Sequence, residues 1–103
     1  MVSQDKSFAV SIGEKIRIWL AADGNNVRNM DSYSMSVALS PDDKLIATGD
    51  YYGDVHIWSV ADGSELALLK GHQDQVIEIG FTPDGSGIYS ISLDETLRLW
   101  GIQ

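Results

Sequence analysis

The sequence predicts an all-β protein built from a repeated antiparallel unit, and three kinds of landmark in the 103-residue chain support this. Each of the three tryptophans, Trp19, Trp58 and Trp100, ends a short segment in which apolar residues alternate with Arg or His, as in a strand. The tryptophans are 39 and 42 residues apart. Proline turns at 40–43 and 82–85 repeat with the same 42-residue offset, and Asp-Gly turns follow the first two tryptophans. Landmarks that keep one register indicate a true repeat.

The first unit contains two predicted strands, at 8–11 and 15–20, joined by a short connection. The second of these carries Ile-Arg-Ile-Trp at 16–19, which has the period-2 alternation of a strand. After the Asp-Gly turn at 23–24, the segment 26–30 is predicted as a third strand. It has the weakest alternation of the three.

The middle unit is complete, and the unit after it repeats most of the same pattern. Turn signals divide the middle unit into four predicted strands, at 34–39, 45–49, 54–59 and 64–69. The last unit supplies three more, at 76–81, 88–92 and 96–100. Every connection is short, and no stretch of ten or more residues shows an apolar 3.6-residue rhythm. The sequence therefore predicts a β-meander without helices.

Composition and charge argue against several classes of protein. Seven Lys and Arg against 15 Asp and Glu give a formal net charge of −8, and the basic residues are scattered. We therefore expect neither nucleic acid nor a membrane surface as a partner. The chain contains no Cys, which excludes a disulfide scaffold and a thiol nucleophile. We find no signal-peptide pattern and no apolar run near the roughly 20 residues that cross a bilayer, so we expect a soluble chain in an unknown compartment.

The last unit carries further landmarks: Gly71-His72, the run 76–85 ending in Thr-Pro-Asp-Gly, Ile-Tyr-Ser-Ile-Ser at 88–92, and Asp94 followed by Thr, Arg, Leu and Trp up to position 100. This segment resembles a WD repeat, the blade of a β-propeller. The match is strong over 71–100, degenerate over 33–70 and partial over 1–30. It departs from the family in one respect, because none of the three tryptophans is followed by the Asp of the family's name.

The resemblance implies a partial β-propeller of four-stranded antiparallel blades. It divides the chain into an incomplete blade at 1–30, a complete but degenerate blade at 31–70, and a blade lacking its last strand at 71–103. Propellers typically have four to eight blades, and open sheet edges invite pairing. We therefore expect either the C-terminal part of a longer propeller or a subunit that completes a ring with blades from other chains.

Four residues of the last unit, His72, Ser90, Asp94 and Trp100, include the residue types of a catalytic triad. The resemblance implies instead a buried hydrogen-bonded tetrad, and we use that name for these four residues. The tetrad ties the loop before the first strand of the blade to its second and third strands. No Gly-x-Ser-x-Gly motif surrounds Ser90, so we assign the tetrad a structural role and predict no catalytic residue.

The middle unit lacks the tetrad. Tyr52 and Met30 stand at the positions of Asp94 and His72, and only Thr48 keeps a hydroxyl. We therefore expect the middle blade to depend on apolar packing and to be the less stable of the two.

No metal or cofactor site is predicted. Asp-Gly-Asn-Asn at 23–26 lacks the alternating acids and the distal Glu of a calcium loop. Gly-Ser-Gly at 85–87 precedes no helix, so it does not form a phosphate-binding loop. Hairpin turns explain both segments.

The resemblance also implies a loop face through which propellers bind protein or peptide partners. The matching positions are Tyr33, Met35 and Tyr51 in the middle unit and Gln75, Ile77 and Leu93 in the last. Five of the six are apolar or aromatic, which favours an interaction site in an acidic chain. The alternative is that some of them pack against the neighbouring blade.

The sequence therefore predicts a non-catalytic scaffold for protein–protein interaction. One alternative is a fragment of a propeller enzyme, either a hydrolase or a quinone-dependent enzyme, which would need inward-pointing carboxylates or histidines from several blades. The other alternative is a segment that only closes a larger ring.

Overall fold

A computed structural model of the chain describes residues 1–3, 8–20, 24, 26–30 and 34–101, and this part contains ten strands and no helix. The strands are β1 (Phe8–Ser11), β2 (Ile16–Leu20), β3 (Asn26–Met30), β4 (Ser34–Leu39), β5 (Leu45–Asp50), β6 (Asp54–Ser59), β7 (Glu65–Lys70), β8 (Val76–Phe81), β9 (Gly87–Ser92) and β10 (Leu97–Gly101). The first and last residues of each strand lie within one residue of the bounds that the sequence predicts. The all-β prediction is confirmed. We find no helix in this part of the chain that is long and apolar enough to span a membrane.

The strands form three antiparallel sheets in the described residues, and neighbours in sequence are neighbours in each sheet. β1–β2–β3 form the first sheet, β4–β5–β6–β7 the middle sheet, and β8–β9–β10 the third. Residues 31–33, where the first predicted blade boundary falls, lie outside the described residues. Simple meanders of this kind need only short turns, which explains why turn signals and local alternation locate the strands.

Two apolar clusters lie between the sheets and cover both faces of the middle sheet along β4, β5 and β6. The first cluster joins the first sheet to one face of the middle sheet, through Val10, Ile16, Ile18, Met30, Ile46 and Trp58. The second joins the other face to the third sheet, through Ala38, Ala47, Val55, Ile57, Val76, Ile79 and Ile88. Because strand side chains alternate between faces, the period-2 pattern supplies both clusters at once.

One face of the third sheet is exposed to solvent along β10. On β10, Leu97 and Leu99 are 58% and 75% exposed. They pair across the sheet with Ile91 and Tyr89 on β9. The apolar pattern of this strand therefore continues on a face that no described residue covers.

Two β-bulges shape the edge of the sheets where the candidate site lies. In β4 the register against β5 shifts between Ser34 and Ser36, so that Met35 is the extra residue. In β8 the register against β9 shifts between Val76 and Glu78, so that Ile77 is the extra residue. A bulge changes the direction of the side chain that it carries, and here both bulged side chains are exposed.

Candidate functional site

The hydroxyl of Ser90 joins two strands and a loop in the third sheet. The indole N–H of Trp100 donates to Ser90 Oγ at 2.9 Å, and Nε2 of His72 lies 2.7 Å from the same oxygen. Ser90 is 0% exposed, and the side chain of His72 is 0% exposed. A hydroxyl can accept one hydrogen bond and donate another, so Ser90 satisfies both partners when its proton points to the ring.

The second nitrogen of His72 faces Asp94 and Thr96. Nδ1 lies 3.0 Å from Thr96 Oγ1 and 3.3 Å from Asp94 Oδ2. The Thr96 hydroxyl donates in turn to Asp94 Oδ1. The structure thus brings all four tetrad residues together, with Thr96 as a fifth member. Sequence reasoning missed this member because the Asp-x-Thr pattern does not show which way the threonine hydroxyl points.

The Asp94 carboxylate is held by hydrogen bonds from several directions. Besides the Thr96 hydroxyl, the backbone N–H groups of Gln73 and Thr96 donate to it, each at 2.9 Å. The Thr96 hydroxyl first, and then the Gln73 N–H, hold the pKa of Asp94 well below its ordinary value. The carboxylate therefore stays ionised and fastens the loop before β8 to the turn before β10.

The middle sheet carries a different polar network, which we call the Asp50–His56–Glu65 network. Nε2 of His56 lies 2.8 Å from Asp50 Oδ2, and Nδ1 lies 2.6 Å from Glu65 Oε2. This network joins β5, β6 and β7. The middle blade therefore has apolar packing, as expected, and in addition a polar network that the sequence analysis did not predict. Met30, which stands at the His72 position, is instead a core residue at 4% exposure.

One contact recurs in all three sheets. Trp19 donates to Ser11 Oγ at 2.9 Å, Trp58 donates to Thr48 Oγ1 at 3.0 Å, and Trp100 donates to Ser90. In each case the hydroxyl lies on the strand that pairs with the tryptophan strand. The tryptophans are thus structurally equivalent, as their spacing predicts.

The predicted partner-binding residues follow the same edge of the middle and third sheets. Met35 and Ile77 are the two bulge residues, and Tyr51 and Leu93 lie in the turns that follow β5 and β9. Gln75 is half-buried in the loop before β8. Tyr33 lies outside the described residues.

A further exposed residue at this edge is Tyr52, which stands at the position of Asp94 in the repeat. Its side chain is 78% exposed and its ring makes a T-shaped contact with Tyr51, with centroids 5.6 Å apart. We use "loop rim" for the set of described residues at this edge: Met35, Tyr51, Tyr52, Gln75, Ile77 and Leu93.

Direct contacts join the part of the loop rim on the middle unit to the part on the last unit. Ser36 donates from Oγ to the Val76 carbonyl at 3.0 Å, which joins the two strands that carry the bulges. Within the last unit, the Leu93 N–H also donates to the Gln75 carbonyl at 3.1 Å. Gly53 has φ +93°, and a Cβ atom there would lie 2.5 Å from the His72 carbonyl oxygen. Only glycine therefore allows the turn after β5 to approach the loop before β8.

Comparison with known proteins settles the family. The WD domain, G-beta repeat family matches residues 24–59 and 63–101. The chain belongs to the WD-repeat family. The second matched segment contains the whole tetrad, and the first contains Trp58 and the Asp50–His56 contact.

Two relatives match this chain, one over almost its full length and the other over about two thirds of it. The serine-threonine kinase receptor-associated protein of Dictyostelium discoideum is 34% identical over 105 residues, covering 95% of this chain and 34% of that protein. The periodic tryptophan protein 2 homolog of Neurospora crassa is 39% identical over 67 residues, covering 64% of this chain and 8% of that protein.

A solved structure shows the same arrangement of strands. The crystal structure of the RRP9 WD40 repeats superposes with a TM-score of 0.90 at 25% identity, covering 99% of this chain and 34% of that chain. The chain spans about a third or less of the length of these WD-repeat relatives. The predictions of the family and of a partial WD-repeat propeller are confirmed.

The described residues contain no group of three His, Asp or Glu side chains that could hold a metal ion. The polar side chains of the site bind one another, in the tetrad and in the Asp50–His56–Glu65 network. The apolar side chains of the loop rim face solvent.

Proposed function

We propose that this chain is a non-catalytic interaction scaffold that binds a protein or peptide partner through its loop rim. The observation that carries the proposal is the exposure of four large apolar side chains at the predicted positions. These side chains are between 38% and 53% exposed; they are Met35, Tyr51, Ile77 and Leu93. Exposed apolar side chains that cluster on one face are typical of interaction sites.

The bulges support this proposal. A bulge in the same place on β4 and β8 turns an apolar side chain outward from each strand. The Tyr51–Tyr52 pair lies between these positions along the chain and supplies two aromatic rings, a residue type enriched at binding hot spots. One repeated backbone device thus places apolar anchors on both blades.

The burial of Ser90 and His72 supports a role without catalysis. A nucleophile must reach its substrate, and Ser90 is 0% exposed, with its hydroxyl engaged by His72 and Trp100. The Asp94 carboxylate is likewise engaged by Thr96 and Gln73. The triad residue types are therefore explained by structural hydrogen bonds.

The names of relatives agree with a scaffold. The Dictyostelium discoideum relative is named for its association with a serine-threonine kinase receptor. We extend only the general property, association with other proteins, to this chain.

Peptides selected from a random phage-displayed library against the chain test this proposal. We expect the double variant Tyr51→Ser/Leu93→Ser to lose at least about tenfold in affinity for the selected peptides. Each substitution removes a large side chain that is proposed to contact the peptide. The urea midpoint should remain close to that of the parent, because both residues are about half exposed.

The matched control is Leu66→Ser/Leu99→Ser, which removes two apolar side chains from β7 and β10 that are more exposed than Tyr51 and Leu93. We expect this variant to bind the selected peptides as the parent does. Equal losses in the two variants, or full affinity in the loop-rim variant, would reject the loop rim as the binding site and favour a segment that only closes a ring.

A further inference from the structure

The ring of His56 lies between two carboxylates. Asp50 Oδ2 is 2.8 Å from Nε2, and Glu65 Oε2 is 2.6 Å from Nδ1. An ionised carboxylate only accepts hydrogen bonds, and a neutral imidazole has a single N–H to donate. Both contacts therefore form together only when the ring carries two protons and a positive charge.

The equivalent position in the other two repeats holds a cation that does not titrate. Arg17 and Arg98 stand two residues before Trp19 and Trp100, as His56 stands two residues before Trp58. Arginine remains charged at every physiological pH, whereas histidine titrates near neutrality. Only the middle repeat therefore has a cation at this position that a change in pH can remove.

The surroundings of the ring contain few charged groups. In the described part of the chain, Asp50 on β5 and Glu65 on β7 are the charged groups in contact with it. On its own strand, Trp58 stacks on the ring with centroids 5.8 Å apart. Asp54, two residues earlier, is paired with Lys70 at 3.8 Å. The cross-strand neighbours Thr48 and Leu68 carry no charge.

Asp50 connects this ring to the loop rim. Its Oδ1 accepts the backbone N–H groups of Tyr52 and Asp54, each at 2.9 Å, while its Oδ2 faces His56. The turn that carries the two rim tyrosines is therefore held by the carboxylate of a residue that is only 7% exposed. The position of that carboxylate depends on its partner, because a buried charge is costly without one.

We infer that the Asp50–His56–Glu65 network is a pH-sensitive clamp that holds the Tyr51–Tyr52 turn and β7 while His56 is protonated. Loss of the proton from Nε2 or Nδ1 leaves a lone pair facing a carboxylate oxygen, so one of the two contacts becomes repulsive. The element held by the lost contact then loosens: the turn when the contact with Asp50 is lost, and β7 when the contact with Glu65 is lost. The inference that this clamp controls partner binding rests on the proposed function of the loop rim.

The electrostatics of the site agree with this inference. Burial disfavours the charged ring, but the hydrogen bonds to Asp50 and then Glu65 outweigh it and raise the pKa of His56 above its ordinary value. The unfolded chain titrates near the ordinary value of about 6.5. The stabilisation from the network is therefore full below that pH, and it is lost as the pH rises through the higher folded-state pKa.

An NMR titration of the free chain tests the clamp directly. The chain has two histidines, and the variant His56→Gln identifies the His56 ring signal by its absence. We expect this signal to titrate with a midpoint above about 6.5 and the midpoint to fall in Asp50→Asn. A midpoint at or below the ordinary value in the parent would overturn the inference.

Amide exchange at Tyr52 and Asp54 tests the link to the turn. After correction for intrinsic exchange, protection of these two N–H groups should fall by about tenfold as the pH rises through the His56 midpoint. In His56→Arg, which keeps the cation at this position, protection should stay constant. An equal fall in both proteins would show that His56 does not control the turn.

The two proposals can fail separately. If selected peptides bind the parent less tightly at high pH and bind His56→Arg equally at all pH values, control of the loop rim is supported. Affinity that is independent of pH in both proteins would overturn that control. If the selected peptides bind Tyr51→Ser/Leu93→Ser as tightly as they bind the parent, the proposed function is overturned. The titration of His56 in the free chain would be unaffected by that result.

Discussion

Replacing Ser90 with alanine should lower the free energy of unfolding by about 3 kcal/mol, because it leaves two buried groups without a partner. Ser90 Oγ joins the His72 ring at 2.7 Å and the Trp100 indole at 2.9 Å, in a position with 0% exposure. Because the position has 0% exposure, bulk water does not reach the two groups that lose the hydroxyl. Urea unfolding at neutral pH, followed by tryptophan fluorescence, measures the loss.

The middle sheet offers the matched control, Thr48→Val. The Thr48 hydroxyl accepts one indole N–H, from Trp58 at 3.0 Å, and valine keeps its shape. We therefore expect a loss of about 1 kcal/mol, well below that at Ser90. Equal losses at the two positions would show that the His72 contact adds nothing to the hydroxyl–indole contact, and the structural role assigned to the tetrad would then be wrong.

Replacing Ile88 with alanine should cost about 4 kcal/mol, the loss expected for a fully buried side chain at a junction between sheets. Ile88 lies on β9 at 0% exposure, within the apolar cluster that joins the third sheet to the middle sheet. The substitution removes buried apolar area and leaves a cavity between the third sheet and the middle sheet. The same urea experiment measures this loss.

Leu99 provides the control in the same sheet. It lies on β10 at 75% exposure, so Leu99→Ala should change the unfolding free energy by less than about 0.5 kcal/mol. Similar losses for Ile88 and Leu99 would contradict the packing of the third sheet against the middle one. A large loss at Leu99 alone would place the buried face of this sheet on its other side.

The strands could be predicted because each rests on local signals. Alternation within four to six residues and turn residues at fixed offsets depend only on the nearby chain, and the repeat supplies three copies to compare. The bulges at Met35 and Ile77 depend on cross-strand register instead. Counting residues cannot show where a strand gains an extra residue, and the family resemblance alone placed these two side chains outward.

The middle sheet shows why the rest of the site was missed. The positions that correspond to Asp94 and His72 hold Tyr52 and Met30 in the middle unit, so the residue types of the tetrad are absent there. The polar partners come from other positions: His56 meets Asp50 and Glu65, which lie six and nine residues away along the chain. Only the pairing of β6 with β5 and β7 brings them to one ring.

One member of the middle network stands at a position that recurs in all three repeats. The cation before the tryptophan is visible in the sequence as Arg17, His56 and Arg98. Its role is not visible, because the partner carboxylates belong to neighbouring strands. The pH dependence inferred for the middle blade therefore follows from the sequence only after the strand register is known.

Equivalence of the three tryptophans is the central claim, and indole N–H signals in a ¹H–¹⁵N spectrum test it most directly. The variants Ser11→Ala, Thr48→Val and Ser90→Ala each remove the hydroxyl that one indole contacts. Each should shift its own indole signal, from Trp19, Trp58 or Trp100, and leave the other two in place. Ser86→Ala, which changes an exposed turn, should shift none. Shifts that do not follow this one-to-one pairing would contradict the repeated blade.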